Sequence, residues 1–392
     1  MAEKENNKNK KELSLYKKTL LIMIAAIILL SLPALSSEFC DWYNDNVYGI
    51  LCDAISHVTA LFPFAVGEIL MYTGVMMLIA AVALLLLLIF LHKKVGYRRF
   101  CSIYYKFFSI VLLSVFLIYI PTWFIPFNGS VLGQGDKELR TSFTFEEIRD
   151  LLWYCADGAN AAAEEIYIAP DGSVEFYSSE KITEMAADAM RDLGSEYGRL
   201  KGYYPPVKAA LCSDILERMG IGGYNYPYTM EPTHNRYCSP LFQAVLDAHE
   251  YAHHKGYYQE NEANFLSELA LSKNSDPYLR MEGFYEMYAY LYVDYIEASN
   301  EIPEEMPGED PCLSDRVYYI QNAATEIEQQ MYEADEHPID DMPAVDELIT
   351  DTADQGWEIQ GEIIQERSYD DVVLLLLQYF YSPEYTGDFK QK

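Results

Sequence analysis

The chain has 392 residues, 28 of them basic and 60 acidic, for a formal charge of −32. This length accommodates a membrane region plus one sizeable globular domain. The charge is unevenly spread: residues 1–128 hold 11 basic and 8 acidic side chains, leaving 17 and 52 for the rest, a net −35. So acidic a second part excludes nucleic acid as a partner and has no general attraction for anionic lipid, and most of the acid reads as a solvated surface.

Three apolar runs lie in the first third, at residues 19–35, 69–91 and 107–127. The last two are long enough to span a bilayer. The first is short, ends around Pro33, and is followed by Ala34-Leu35-Ser36, a loose likeness to a signal-peptidase site. The preferred reading is an uncleaved anchor. Lys4, Lys8, Lys10, Lys11, Lys17 and Lys18 precede the first run, and Lys93, Lys94, Arg98 and Arg99 separate the second from the third. Both clusters are expected to stay in the cytoplasm. The chain is then a multi-pass protein of a bacterial cell membrane, in contact with lipid, with everything after Asn128 outside. Residues 36–67 mix aromatic, apolar and acidic groups and predict an interfacial helix.

Beyond the runs, Thr144-Phe-Glu-Glu147 has the capping-box pattern and opens a helix towards Glu165. A Pro170-Asp-Gly172 turn precedes a short β-like run at 174–177, and residues 180–200 read as a surface helix. A third helix is expected over 207–219, then an extended aromatic edge strand over 224–232. The next helix, 240–254, carries Phe242, Val245, Leu246, His249 and His253 as an inward stripe at i, i+3, i+4, i+7 spacing. Asn261 is the expected cap of a helix over 262–273, followed by an amphipathic helix over 277–299 with Phe284, Tyr288, Leu291 and Tyr295 inward. Residues 300–355 read as an acidic, proline-bearing surface excursion with a helix near 314–333. An apolar helix at 369–381 closes the chain. The predicted fold is mainly α: three N-terminal transmembrane helices (residues 1–128), then a mostly helical, zincin-like extracytoplasmic domain (129–392) with a short β edge.

On this topology Cys40, Cys52, Cys155, Cys212, Cys238 and Cys312 are outside and Cys101 lies at the inner face. Cys40–Cys52 is the one local disulfide pairing to expect, with free buried thiols as the alternative.

The stretch that carries chemistry is His249-Glu-Tyr-Ala-His253. Residues four apart share one face of a helix, so both imidazoles can hold one metal ion. Glu250 sits beside them as the base that takes a proton from a metal-bound water. A catalytic zinc needs a third protein ligand. Glu262, nine residues past His253 at the start of the next helix, is the first choice, and Glu260 in the turn is the alternative. Glu268 lies roughly 240° around that helix from Glu262 and cannot join it. His234 and Tyr257 are candidates to stabilise an oxyanion, Asn264 to support a ligand, and Glu231 to hold the 224–235 segment in place. Two core histidines bonded to carbonyls would give the same stripe without metal.

Tyr204-Pro-Pro-Val-Lys208, Tyr226-Pro-Tyr-Thr229, Glu231, Asn235, Ala248-His-Glu-Tyr-Ala-His253, Gly256, Glu260 and Glu262-Ala-Asn-Phe265 together resemble a bacterial membrane family catalogued as domain of unknown function 3810. Ser368-Tyr369 before an apolar helix fits the same pattern. The likeness covers most of residues 20–380. It implies N-terminal spans followed by a glutamate-zincin peptidase domain, with one Zn2+ on His249, His253 and Glu262 and with Glu250 as base. Leu266 stands where many glutamate-zincins carry an acid, and Met230 and Pro232 stand where the family commonly has Gly and Ala.

The leading expectation is therefore a membrane-anchored zinc metallopeptidase acting on a peptide or protein outside the cytoplasm. Its site, on this reading, lies far from the spans. A non-catalytic metal-binding sensor or scaffold, and an amidase or other zinc-dependent envelope hydrolase, are the rivals.

Overall fold

The computed structural model describes residues 14–134, 139–300, 311–337, 339–360 and 368–389. Lys4, Lys8, Lys10 and Lys11, on which part of the expected orientation rests, lie outside the described residues. Helix α1 (Leu15–Ser31) is followed by α2 (Ser37–Tyr43), which continues through a π-helical turn into α3 (Gly49–Thr59). Helix α4 (Val66–Leu91) comes next. Helix α5 (Val95–Tyr119) runs through a second π turn, Ile120–Phe124, into a last turn, α6 (Ile125–Phe127). Leu15–Leu35, Val66–Leu91 and Val95–Phe127 are each long and apolar enough to cross a membrane. Tyrosines lock them together: Tyr97 and Tyr105 on α5 donate to the Leu84 and Ala81 carbonyls of α4, at 2.7 and 2.6 Å.

Cys40 and Cys52 do not pair; all seven cysteines are free thiols. The reason is helical continuity. Twelve residues of unbroken helix put the two sulfurs roughly 18 Å apart, far beyond disulfide reach. Cys52 instead lies against the His254 ring, 3.4 Å from Nε2.

The second part is helical, with one small sheet. Its elements are α7 (Phe145–Glu165), α8 (Ser179–Leu193), β1 (Lys208–Ala209), α9 (Ser213–Arg218), β2 (Gly223–Tyr226), β3 (Glu231–His234) and α10 (Pro240–His254). Helices α11 (Glu260–Ser272), α12 (Pro277–Asn300), α13 (Asp315–Ala334), α14 (Pro343–Gln360) and α15 (Ser368–Phe380) complete it. Thr144 and Glu147 close a full capping box on α7. One core joins α7, α8, α10, α11, α12, α13 and α15, with Leu151, Met190, Leu266, Met287 and Leu376 fully buried.

Four expectations change. The 207–219 helix shrinks to α9, because Lys208 and Ala209 are drawn into the sheet. The single edge strand is a hairpin, β2 and β3, turned by Met230 in the left-handed region at φ 51°. The 300–355 excursion is not all surface: Val317, Ile320 and Ala324 of α13 reach the core, and α14 is an added helix. Phe242 points outwards, 42% exposed, while Val245 and Leu246 are buried.

The sheet has the order β1-β3-β2, parallel between β1 and β3 and antiparallel between β3 and β2. Side chains alternate between its faces. Gly223, Asn225, Pro232 and His234 share one face by register, and Tyr224, Tyr226, Glu231 and Thr233 share the other. His234 bonds Asp247 of α10, so the first face covers α10. Glu231 bonds the N-terminus of α4, so the second face meets the apolar helices.

Candidate metal centre

Helix α10 ends where Lys255 leaves the helix and Gly256, at φ +89°, reverses the chain. A side chain there would be strained by that backbone angle and would press on the Tyr48 ring. The turn is tight enough for α11 to begin at Glu260, two residues before the expected start. Gln259 precedes it without a side-chain cap, and Asn261 lies inside the helix.

This early start decides the third acidic group. Residues four apart on α11 share a face, so Glu260 and Asn264 both look at α10. The Glu260 carboxylate stands 3.2 Å from His249 Nε2 and 3.6 Å from His253 Nε2. Asn264 Oδ1 accepts from His249 Nδ1 at 2.6 Å. Glu262 is turned about 200° away from Glu260. Its carboxylate accepts the Leu132 N–H at 2.7 Å, and burial pushes it up while that bond and the Gln259 N–H pull it down. The structure thus brings Glu260, not Glu262, to the histidines.

The histidine tautomers follow from their outer bonds. His253 Nδ1 lies 2.8 Å from the Tyr257 carbonyl, which can only accept, so Nδ1 carries the proton. The Asn264 amide, whose nitrogen donates to Tyr290 Oη at 2.9 Å, sets His249 the same way. With Nδ1 protonated, loss of the Nε2 proton leaves each Nε2 lone pair to a metal, as a histidine ligand requires. His249, His253 and Glu260 each offer a ligand atom within 4.8 Å of the others. Three ligands on a tetrahedral zinc stand about 3.4 Å apart, which the 3.2 and 3.6 Å separations match. The donor set fits the ion. Burial pulls the His253 imidazole down, but the Glu260 bond and charge outweigh it and raise it to about 9. Burial likewise pushes Glu260 up, yet the two imidazoles hold it well below the ordinary carboxylate range.

Glu250 is 2% exposed, and its Oε2 has no hydrogen-bond partner. Burial pushes this carboxyl up to about 7 against the pull of both histidines. Strand β2 closes over it: a side chain at Gly223 would meet both the Thr233 carbonyl and Glu250 Oε1. Only glycine lets the strand come this close.

The remaining expected site residues lie around this centre in other roles. His234 is held by Asp247 at 2.7 Å, on a different face of α10 from His249. Tyr257 serves through its carbonyl, while its ring is buried under the Arg199 guanidinium. Glu231 is 2% exposed and accepts from Val66 N at 3.0 Å, Gly67 N at 2.7 Å and the Lys208 ammonium.

Two residues escaped sequence reasoning. Asn225 has both amide atoms buried without a partner, on the sheet face shared with Gly223. Tyr258 stacks on His253, ring centroids 6.3 Å apart, and donates to the Thr122 carbonyl at 2.7 Å. Thr122 belongs to the last π turn of the third apolar helix. The site is therefore not far from the apolar helices but adjoins the end of one. The expectation of distance came from separation in sequence, which the Tyr258 contact spans.

Residues 43–337 match the model of a family described as a protein of unknown function, DUF3810. The chain belongs to that family. The DUF3810 match takes in α3, both later apolar helices, the sheet and the whole metal cluster; α1, α14 and α15 lie outside it. No curated protein and no solved structure matches the chain.

Proposed function

We propose that this protein is a membrane-anchored zinc metallopeptidase that cuts peptide bonds outside the cytoplasm. One observation carries the reading: two imidazole Nε2 atoms and the Glu260 carboxylate converge beside a buried, unpartnered Glu250 carboxylate. A structural metal site needs no such base. The orientation follows from Lys93, Lys94, Arg98 and Arg99, at the end of the helices opposite the domain.

Bound zinc would supply Lewis acidity, polarising a carbonyl and lowering a water's pKa to about 7. The protein does the rest. His249, His253 and Glu260 hold the ion, and Asn264 and the Tyr257 carbonyl fix the imidazole tautomers. Glu250 takes a proton from the attacking water and returns it to the leaving amine, so a C–N bond breaks as a C–O bond forms. Strand β2 is a sheet edge beside Glu250 and suits strand addition by an extended peptide.

The test is full-length protein with stoichiometric zinc and an unbiased peptide library. Cleavage should fall about 10²–10⁴-fold in Glu250→Gln with zinc retained. Bound zinc without cleavage by the native protein favours a metal-binding sensor instead. The carboxylate contacts of Glu231 and Glu68 between the domain and α4 favour that second reading, since they tie the domain to a span.

A further inference from the structure

The position of the site against the membrane helices has a consequence for the substrate. Strand β2 starts at Gly223, beside Glu250, and runs away from it to Tyr226. The turn that follows lies against the third apolar helix and the end of α3. The Tyr228 ring is 6.4 Å from the Tyr119 ring of α5, and the Thr229 carbonyl accepts from Thr59 at 3.0 Å. Met230 is fully buried in a cluster with Ala34, Tyr48, Ile120 and Ile125. On the other flank, Tyr258 links His253 to Thr122 and shares a 2.9 Å hydrogen bond with Tyr48 of the interfacial helix. The same segment leaves Trp42, Ile50, Val58 and Leu61 more than half exposed, as an interfacial helix would.

β2 is thus a track with one end at Glu250 and the other beside the third apolar helix. It pairs with β3 alone, so its outer edge is unpaired among the described residues. Four residues of extended chain cover roughly 13 Å. A polypeptide leaving the membrane beside the third span and pairing with β2 would reach Glu250 about four residues later.

We infer that the substrate is a membrane-anchored polypeptide, cut in its juxtamembrane segment within a few residues of the bilayer. This rests on the metallopeptidase reading above. It differs from cleavage inside the bilayer, because Glu250 is carried by α10 of the helical domain and not by a span, and from cleavage of free peptides, because the track begins beside the third apolar helix.

The experiment uses the full chain in phosphatidylcholine–phosphatidylglycerol vesicles with single-span polypeptides in both orientations. Each carries one reporter sequence placed about four, about a dozen or about forty residues from the span, and the same reporter is also supplied as a soluble peptide. The expected result is cleavage about tenfold or more faster at about four residues than at about forty, since anchoring alone raises all tethered rates together. Equal rates at all distances, or preference for the distant reporter, overturn the inference and leave the peptidase reading standing. No cleavage of any reporter, soluble peptide included, overturns both.

Discussion

The two sides of the sheet treat a glutamate in opposite ways. On the α10 side, Glu260 keeps half its side chain exposed and meets two imidazoles at 3.2 and 3.6 Å. On the side of the apolar helices, Glu231 is buried against the Lys208 ammonium and the first N–H groups of α4. Glu68 of α4 answers it, accepting from Leu211 N and Cys212 N at 2.9 and 2.8 Å. Lys208 also donates to the Thr59 and Phe64 carbonyls. The first arrangement is open on one side, and its partners are groups that also bind metal. The second is closed, saturated and built from groups that cannot exchange. Burial with fixed partners makes a joint; partial exposure with convergent lone pairs makes a site.

Breaking the joint should give the largest effect on stability. Glu231→Ala leaves the Lys208 charge buried without its counter-ion, at a cost of about 3–5 kcal/mol in thermal or denaturant unfolding in detergent. Pairing Lys208→Met with Glu231→Leu should recover most of that loss. A loss under about 1 kcal/mol in the single variant would mean that the two regions are not so different.

A smaller effect separates the site from its support. Asn264→Ala should weaken zinc binding about 10–100-fold by freeing the His249 ring, with little change in unfolding of the metal-free protein. Equal loss of both would make Asn264 part of the core instead.

The smallest effect sharpens the contrast through pH. Burial holds Glu286 up at about 7 from an ordinary 4.5, and raises its buried neighbours Glu268 and Glu282. A raised carboxyl keeps in the folded state a proton that the unfolded chain has lost. Its stabilisation is complete below about pH 4.5 and is lost as pH rises through about 7. Glu286→Gln should therefore flatten the fall in unfolding midpoint over that window, and an unchanged pH slope would count against it.

Much of this was readable in the chain. The apolar runs, the capping box at Thr144 and the bounds of α10 follow from local pattern, because hydrophobic period and cap chemistry are local. The choice between Glu260 and Glu262 was not readable. Gln259-Glu-Asn261 offers Asn261 as a plausible cap, and a start two residues earlier rotates the helix face by about 200°. The hairpin turn hid because Met230 takes a left-handed angle without glycine. The Glu231 joint hid because its partners at Val66 and Gly67 are more than 160 residues away. Tyr258 could have been suspected from its place in the turn after the motif, but nothing local points it at Thr122.

The most direct test of the metal centre is anomalous diffraction at the zinc edge from crystals of the zinc-loaded full chain. The ion should lie about 2.1 Å from His249 Nε2, His253 Nε2 and a Glu260 oxygen, with Glu262 still on the Leu132 N–H. An ion bound by Glu262, or no ion at the two histidines, would contradict the account.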